Sequence, residues 1–420
     1  MNILWLKTEL LHPVDKGGKI RTYNMLKELR RDHRITYLTL DDGASASAVA
    51  AADEYCHELI RIPHAGCTKF TPAFYSDLLF NLPSAFPYTI AKYKSLEMRN
   101  RINERLSRGD VDVLICDFLT PAVNLDFRFD CPTVLFQHNV EAMIWKRHYE
   151  VQKNVVKKAY LYAQWLKMRA FEERLCRKFD AVIAVSAEDR DQMRADYLLD
   201  TVFDVPTGVD TEFFKPSGFT ERDSMNLVFT GSMDWLPNDD AIRYFADDIL
   251  PIVRRKVPKV SLTIVGRNPS PYLTELSKKD LSINVTGRVD DVRPYMEKAA
   301  VYVVPLRIGG GTRLKIYEAM AMEKPIVSTT VGAEGLPLQD GAGLLLADNA
   351  HSFAEAIVKL LKEPELAQRI GSRAARAVRE SFGWHRVAID FSQICEKTVE
   401  RRHITAEVLL SSRPFVYGEQ

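Results

Sequence analysis

Short apolar runs alternate with longer helical patterns twice along this chain, and that alternation fits a parallel sheet with helices covering both faces. The first series runs through residues 3–6, a helical pattern over 19–31, then 35–40, 111–116 and 133–136, a long helical stretch to 179, 181–185 and a helical pattern over 188–197. The pattern pauses near Pro206 and the polar stretch 217–226. It resumes with 227–230, helical 238–255, 262–265, 283–285, 301–304, helical 312–322, 326–328 and helices over 352–361 and 365–380. An α/β chain of two doubly wound domains is expected, with 420 residues enough for two cores, or at most three. The boundaries read as 1–205 and 206–384, with a further helical stretch over 385–420.

Net charge is +1, from 57 basic and 56 acidic residues, so no overall field points to nucleic acid. The balance is uneven locally. Residues 91–108 hold six basic side chains against two acidic ones, and 146–178 hold ten against three. One face of the first domain is therefore expected to be cationic, either merely solvated or held to an anionic membrane surface. The six cysteines lack CxxC spacing and suit reduced thiols in the cytoplasm. The first apolar run is short for a signal segment, and no run approaches the roughly 18 residues of a membrane span. Residues 68–93 crowd seven Phe and Tyr side chains around Pro72, Pro83 and Pro87. Two readings stay open there: a core flap with two short helices, or an apolar groove for substrate.

Candidate chemistry clusters where runs end. Gly17 and Gly18 precede the first helical pattern, either as a plain turn or as backbone that lets a ligand approach a helix N-terminus, although the spacing is not GxGxxG. Gln137, His138, Asn139 and Glu141 follow the run 133–136, at the carboxyl end of a strand, where open α/β sheets bind ligands. After 301–304 come Gly309, Gly310, Gly311, Thr312, Arg313, Lys315 and Glu318. Cations in a first helical turn are unfavourable without an anion, so this reads as a phosphate cradle, with Glu318 accepting from a sugar's hydroxyls. Gly231 and Ser232 form a second turn after 227–230. Asn238 is the candidate cap of the helix that follows.

Together with Val185, Ser186 and residues 206–210, these motifs resemble a retaining GT-B glycosyltransferase of family four along essentially the full length. The resemblance implies two Rossmann-like domains facing a central cleft, an acceptor on the first and a nucleotide-diphosphate sugar on the second, with the C-terminal helix over 385–420 packing back on the first. It implies Glu318 on the ribose, and Gly309 to Thr312 on the phosphates and donor sugar. His138 would lie near the reacting carbon, Gly17 and Gly18 at the diphosphate, and Asn139 and Glu141 on the acceptor side. Two departures stand out. Gly310 occupies the place of the family's first glutamate, and the usual Arg and Lys after the second domain's first strand are missing. Arg313 and Lys315 are expected to replace that charge, with no metal or other cofactor required. The acceptor is expected to be a glycan or a lipid-linked molecule. A nucleotide-sugar epimerase or a non-catalytic nucleotide-sugar binder would use the same pocket.

Overall fold

The computed structural model describes residues 1–66, 71–152, 154–218, 223–308, 314–334, 336, 341 and 343–411. They form two compact units, Met1–Val205 with Ala388–Gln420, and Pro206–Val387. Each has its own sheet and core.

The first sheet contains β1 (Asn2–Lys7), β2 (Arg34–Asp41), β3 (Glu58–Pro63), β4 (Val113–Asp117), β5 (Thr133–Phe136), β6 (Ala181–Ala184) and β7 (Val202–Asp204). Their order is β3-β2-β1-β4-β5-β6-β7, and all pairs are parallel. The central strands are apolar throughout because helices cover both faces: every residue of β4, β5 and β6 is buried. The edge strand β3 reads ELIRIP, mostly half-exposed, and its mixed pattern hides it among the apolar runs. The order reverses between β1 and β4, which places a topological switch point at their carboxyl ends.

The second sheet contains β8 (Asn226–Thr230), β9 (Ser261–Val265), β10 (Ile283–Gly287), β11 (Val301–Val304), β12 (Ile326–Ser328) and β13 (Leu345–Leu346). It is ordered β10-β9-β8-β11-β12-β13, also parallel, with its reversal between β8 and β11.

Several local expectations change. The stretch after β5 is a helical hairpin, Glu141–Val151 and Val155–Cys176, in which the Asn154 side chain caps the second helix by accepting from the Lys157 amide. Gly17 and Gly18 are the first two residues of the helix Gly17–Leu29 rather than a turn before it. The chain restarts as a helix at Trp384, and Trp384–Ser411 is continuous. Trp384 packs on Gly208 so closely that a Cβ there would fall 2.5 Å from the indole. Further along, Phe391 packs tilted against Trp5 and edge-on against Phe136, with ring centroids 5.7 and 5.0 Å away. Arg402 donates to Asp180 at 2.7 Å. Residues 388–411 thus belong to the first unit's packing.

Of the six cysteines, Cys67 lies outside the described residues, and the other five are buried and unbridged. Among the described residues no helix is long and apolar enough to cross a membrane.

Candidate functional site

In the first unit, β1 ends on Lys7 and the adjacent β4 ends on Asp117, both essentially excluded from water. Two opposite charges buried at a switch point are costly unless fully partnered. Here Asp117 Oδ2 is: Lys7 Nζ lies 2.8 Å from it, and it also accepts from Trp5 Nε1 at 3.0 Å and Thr22 Oγ1 at 2.6 Å, whereas Oδ1 has no hydrogen-bond donor among the described residues. Burial opposes ionisation of Asp117, but the Lys7 ammonium and the His138 ring outweigh it and hold the carboxyl well below its ordinary range.

His138 arrives from the end of β5. Its Nε2 lies 2.8 Å from Asp117 Oδ1, close in distance but off hydrogen-bond geometry. The imidazole stacks on Phe118 with centroids 3.9 Å apart. Phe118 directly follows Asp117 and adopts φ +71°, a strained left-handed backbone for a bulky residue and a mark of functional positions. Gly18 closes the other side: a Cβ there would lie 3.0 Å from Phe118 Cζ and 4.0 Å from His138 Nδ1. The predicted Gly18 and His138 therefore meet, at the first turn of the helix Gly17–Leu29.

Burial lowers the His138 pKa to about 4, with Asp117 pulling the other way, so the ring is neutral at pH 7. The unfolded histidine binds a proton near pH 6.5 that the native ring resists. Stability is therefore complete above about 6.5 and falls as pH drops towards 4. In His138→Gln, urea unfolding of the first unit should lose stability less steeply across that window; an identical acid limb would show that other groups set it.

Asn139 and Glu141 lie at the start of the helix Glu141–Val151. Val140 offers no side-chain cap, and the buried Glu172 supplies one from the partner helix, accepting from the amides of Glu141 and Ala142 at 3.0 and 2.8 Å. Gln137 and Tyr197 also donate to it, at 2.9 and 2.8 Å. Burial, with Glu141 close by, pushes Glu172 up to about 8 against the pull of those donors, and burial raises Glu141 to about 7. Glu172 thus fixes the backbone that follows His138. The sequence analysis missed both Glu172 and Asp117.

In the second unit the helix Leu314–Ala321 follows β11 and delivers Lys315 to the carboxyl end of β8. Lys315 Nζ donates to Asn238 Oδ1 at 2.8 Å and lies 4.2 Å from the centre of the Phe229 ring. Gly231 provides the space, since a Cβ there would meet Lys315 Nζ at 2.7 Å and Asn238 Nδ2 at 2.8 Å. The predicted Gly231 and Lys315 are therefore neighbours. Gly266, after β9, presses backbone on backbone, its would-be Cβ only 1.8 Å from the Gly231 oxygen.

Asn238 corrects an expectation. It sits within the helix Leu236–Tyr244 rather than capping it, and its Nδ2 donates to the Ser232 carbonyl at 2.8 Å, clamping the turn. The Ser232 hydroxyl is also engaged inside this turn, donating to Asp234 and accepting from Arg267 Nε at 2.8 Å. Arg267, unremarked in the sequence, brings a second cation to the end of β8; the Gly-Arg pair directly after the apolar run 262–265 was its signal.

Glu318 is half-buried on the same helix as Lys315, its carboxyl raised to about 7 by burial while Lys315 pulls it down. Tyr302 of β11, whose hydroxyl lies 2.5 Å from Thr230 Oγ1, is pushed up mainly by burial and in part by Glu318. Glu318 lies one turn beyond Lys315 on the helix that follows β11. Gly309, Gly310, Gly311, Thr312 and Arg313 lie outside the described residues.

Residues 16–213 match the family model described as Glycosyltransferase Family 4, and residues 224–363 the one described as Glycosyl transferases group 1. A Klebsiella pneumoniae relative, described as an uncharacterized 44.6 kDa protein in cps region, is 22% identical over 90% of this chain and 96% of its own length. A phosphatidyl-myo-inositol mannosyltransferase of Mycolicibacterium smegmatis is 29% identical, over 49% of this chain and 54% of that protein. The crystal structure of Anabaena HepE in complex with UDP is similar in fold, with a TM-score of 0.66 over 94% of this chain and 100% of that one at 13% identity. With glycosyltransferase models matching both halves in chain order, on two parallel-sheet Rossmann-like units, the chain is a glycosyltransferase of the family four, GT-B kind.

Proposed function

We propose that this enzyme transfers a hexose from a nucleotide-diphosphate sugar to a glycan or lipid-linked acceptor of polysaccharide biosynthesis, with retention of anomeric configuration. It works in the cytoplasm, with no metal required. The donor binds the second unit. Glu318 accepts from the ribose hydroxyls, while the Gly231-Ser232 turn, Lys315, Arg313 and the backbone of Gly309, Gly310, Gly311 and Thr312 hold the diphosphate and sugar. In the first unit, neutral His138 contacts the donor sugar, Gly17 and Gly18 present a helix N-terminus to the diphosphate, and Asn139 and Glu141 serve the acceptor. Leaving-group charge is met by fixed cations, the largest usual source of acceleration in such transfers.

The observation that carries this reading is the pairing, on one helix, of a half-buried carboxyl with an ammonium set against the glycine turn after β8. It is tested by calorimetry with UDP, GDP and ADP sugars. One of them should bind, and Glu318→Gln should weaken it by about 10- to 100-fold, the loss of a charged hydrogen bond worth roughly 1.5–3 kcal/mol. Unchanged affinity would remove Glu318 from the site. Binding without release of nucleotide to any acceptor would favour the non-catalytic binder, and turnover of the donor without acceptor the epimerase.

A further inference from the structure

The aromatic segment of the first unit resolves into the helices Pro72–Phe80 and Tyr88–Ala91, and no residue of the first is buried, although it reads PAFYSDLLF. Leu79 is 65% exposed and Phe80 82%. The second half of the segment packs as a core flap, with Ile90 buried and Phe86 and Tyr93 against the core, whereas Leu79 and Phe80 stand too far into solvent to belong to a flap or to the wall of a groove.

The helix Val155–Cys176 presents a second exposed apolar stripe. Val155 is 81% exposed, Val156 79%, and Tyr162 and Leu166 follow on the face of Val155 at helical spacing, each 43%. The two helices are tied together. Lys167 Nζ donates to the carbonyls of Asn81 and Leu82 at 2.9 and 2.8 Å, satisfying groups at the end of Pro72–Phe80, and Gln164 accepts from the Tyr88 amide at 3.0 Å.

Charge identifies the occupant. Residues 155–171 contain Lys157, Lys158, Lys167 and Arg169 and no acidic residue, and the one charge on Pro72–Phe80 is Asp77, so cations predominate over the two together. A second copy docked face to face would set these cations against their own kind, which disfavours a symmetric dimer. Exposed aliphatics and aromatics flanked by cations match instead the headgroup boundary of an anionic bilayer. We propose that Pro72–Phe80 and the 155–166 face form one docking surface for an anionic lipid membrane. This inference stands apart from the donor chemistry, because no nucleotide ligand enters it.

The test is co-sedimentation of the full chain, without nucleotide, with vesicles of equal phosphatidylglycerol and phosphatidylcholine, or of phosphatidylcholine alone, at low salt. Wild type should bind the anionic vesicles and lose binding as salt rises. The variants Leu79→Asp with Phe80→Asp, and Lys157→Glu with Lys158→Glu, change exposed or half-buried surface positions and should keep the native circular dichroism. Each pair should lower the partition coefficient by at least about tenfold. Wild type that fails to sediment, or a Leu79/Phe80 variant that sediments like wild type, overturns the proposal. So does a concentration-dependent dimer that the same variant abolishes, since the surface would then belong to a second copy. Donor calorimetry on the same variants should be unchanged, so the two readings fail separately.

Discussion

Lys315→Met is expected to lower kcat by about a hundredfold or more while leaving the free protein folded. The half-buried ammonium at the end of β8 donates a charge-assisted hydrogen bond to the Asn238 oxygen and lies over the Phe229 ring, and the methionine keeps the apolar part of that packing. The ammonium's expected work comes when the donor bond breaks and negative charge develops on the diphosphate, where one preorganised donor is typically worth about 10²–10³ in rate. The loss should therefore fall on kcat more than on KM. Near-normal kcat in Lys315→Met, read by nucleotide release, would move leaving-group stabilisation to the Gly231-Ser232 turn and Arg267.

Asp117→Ala is the second large effect. It strands the buried Lys7 ammonium and removes the acceptor of Trp5 and Thr22, and breaking a buried pair by deleting one partner costs about 3–5 kcal/mol. Urea unfolding of the first unit should show the midpoint displaced accordingly at nearly constant slope. Lys7→Met combined with Asp117→Leu should recover most of that loss, because no unpaired charge then remains in the interior. If the single variant unfolds at the wild-type midpoint, the pair is not what stabilises the β1/β4 edge. If the double variant is stable but inactive, the pair's importance lies in holding the His138 ring.

The sequence made the two sheets legible wherever a strand is buried on both faces, because such strands must be apolar from end to end: β4, β5, β6 and β11 were all visible as runs. It also exposed the wasteful placement of Lys315 near a helix start, since an electrostatic cost without an evident return is itself a signal. The two edge strands of the first sheet were hidden. β3 faces solvent on one side and β7 is three residues long, so neither needs an apolar run.

Other features were decided only by the tertiary structure, because they arise between residues far apart in the chain. Asp117 and Lys7 each end an apolar run 110 residues apart, and only the pairing of β1 with β4 turns them into one buried ion pair beside His138. Glu172 caps a helix 31 residues before it, which no local capping motif announces. The aromatic content of residues 71–93 was plain in composition, but whether it faced a core, a groove or water depended on what packed against it. Lys167 and Gln164 hold the segment by its backbone, leaving Leu79 and Phe80 in solvent. Local sequence sets which elements form, through periodicity and burial; which buried charges find partners, and which apolar faces find none, follows from how those elements come together.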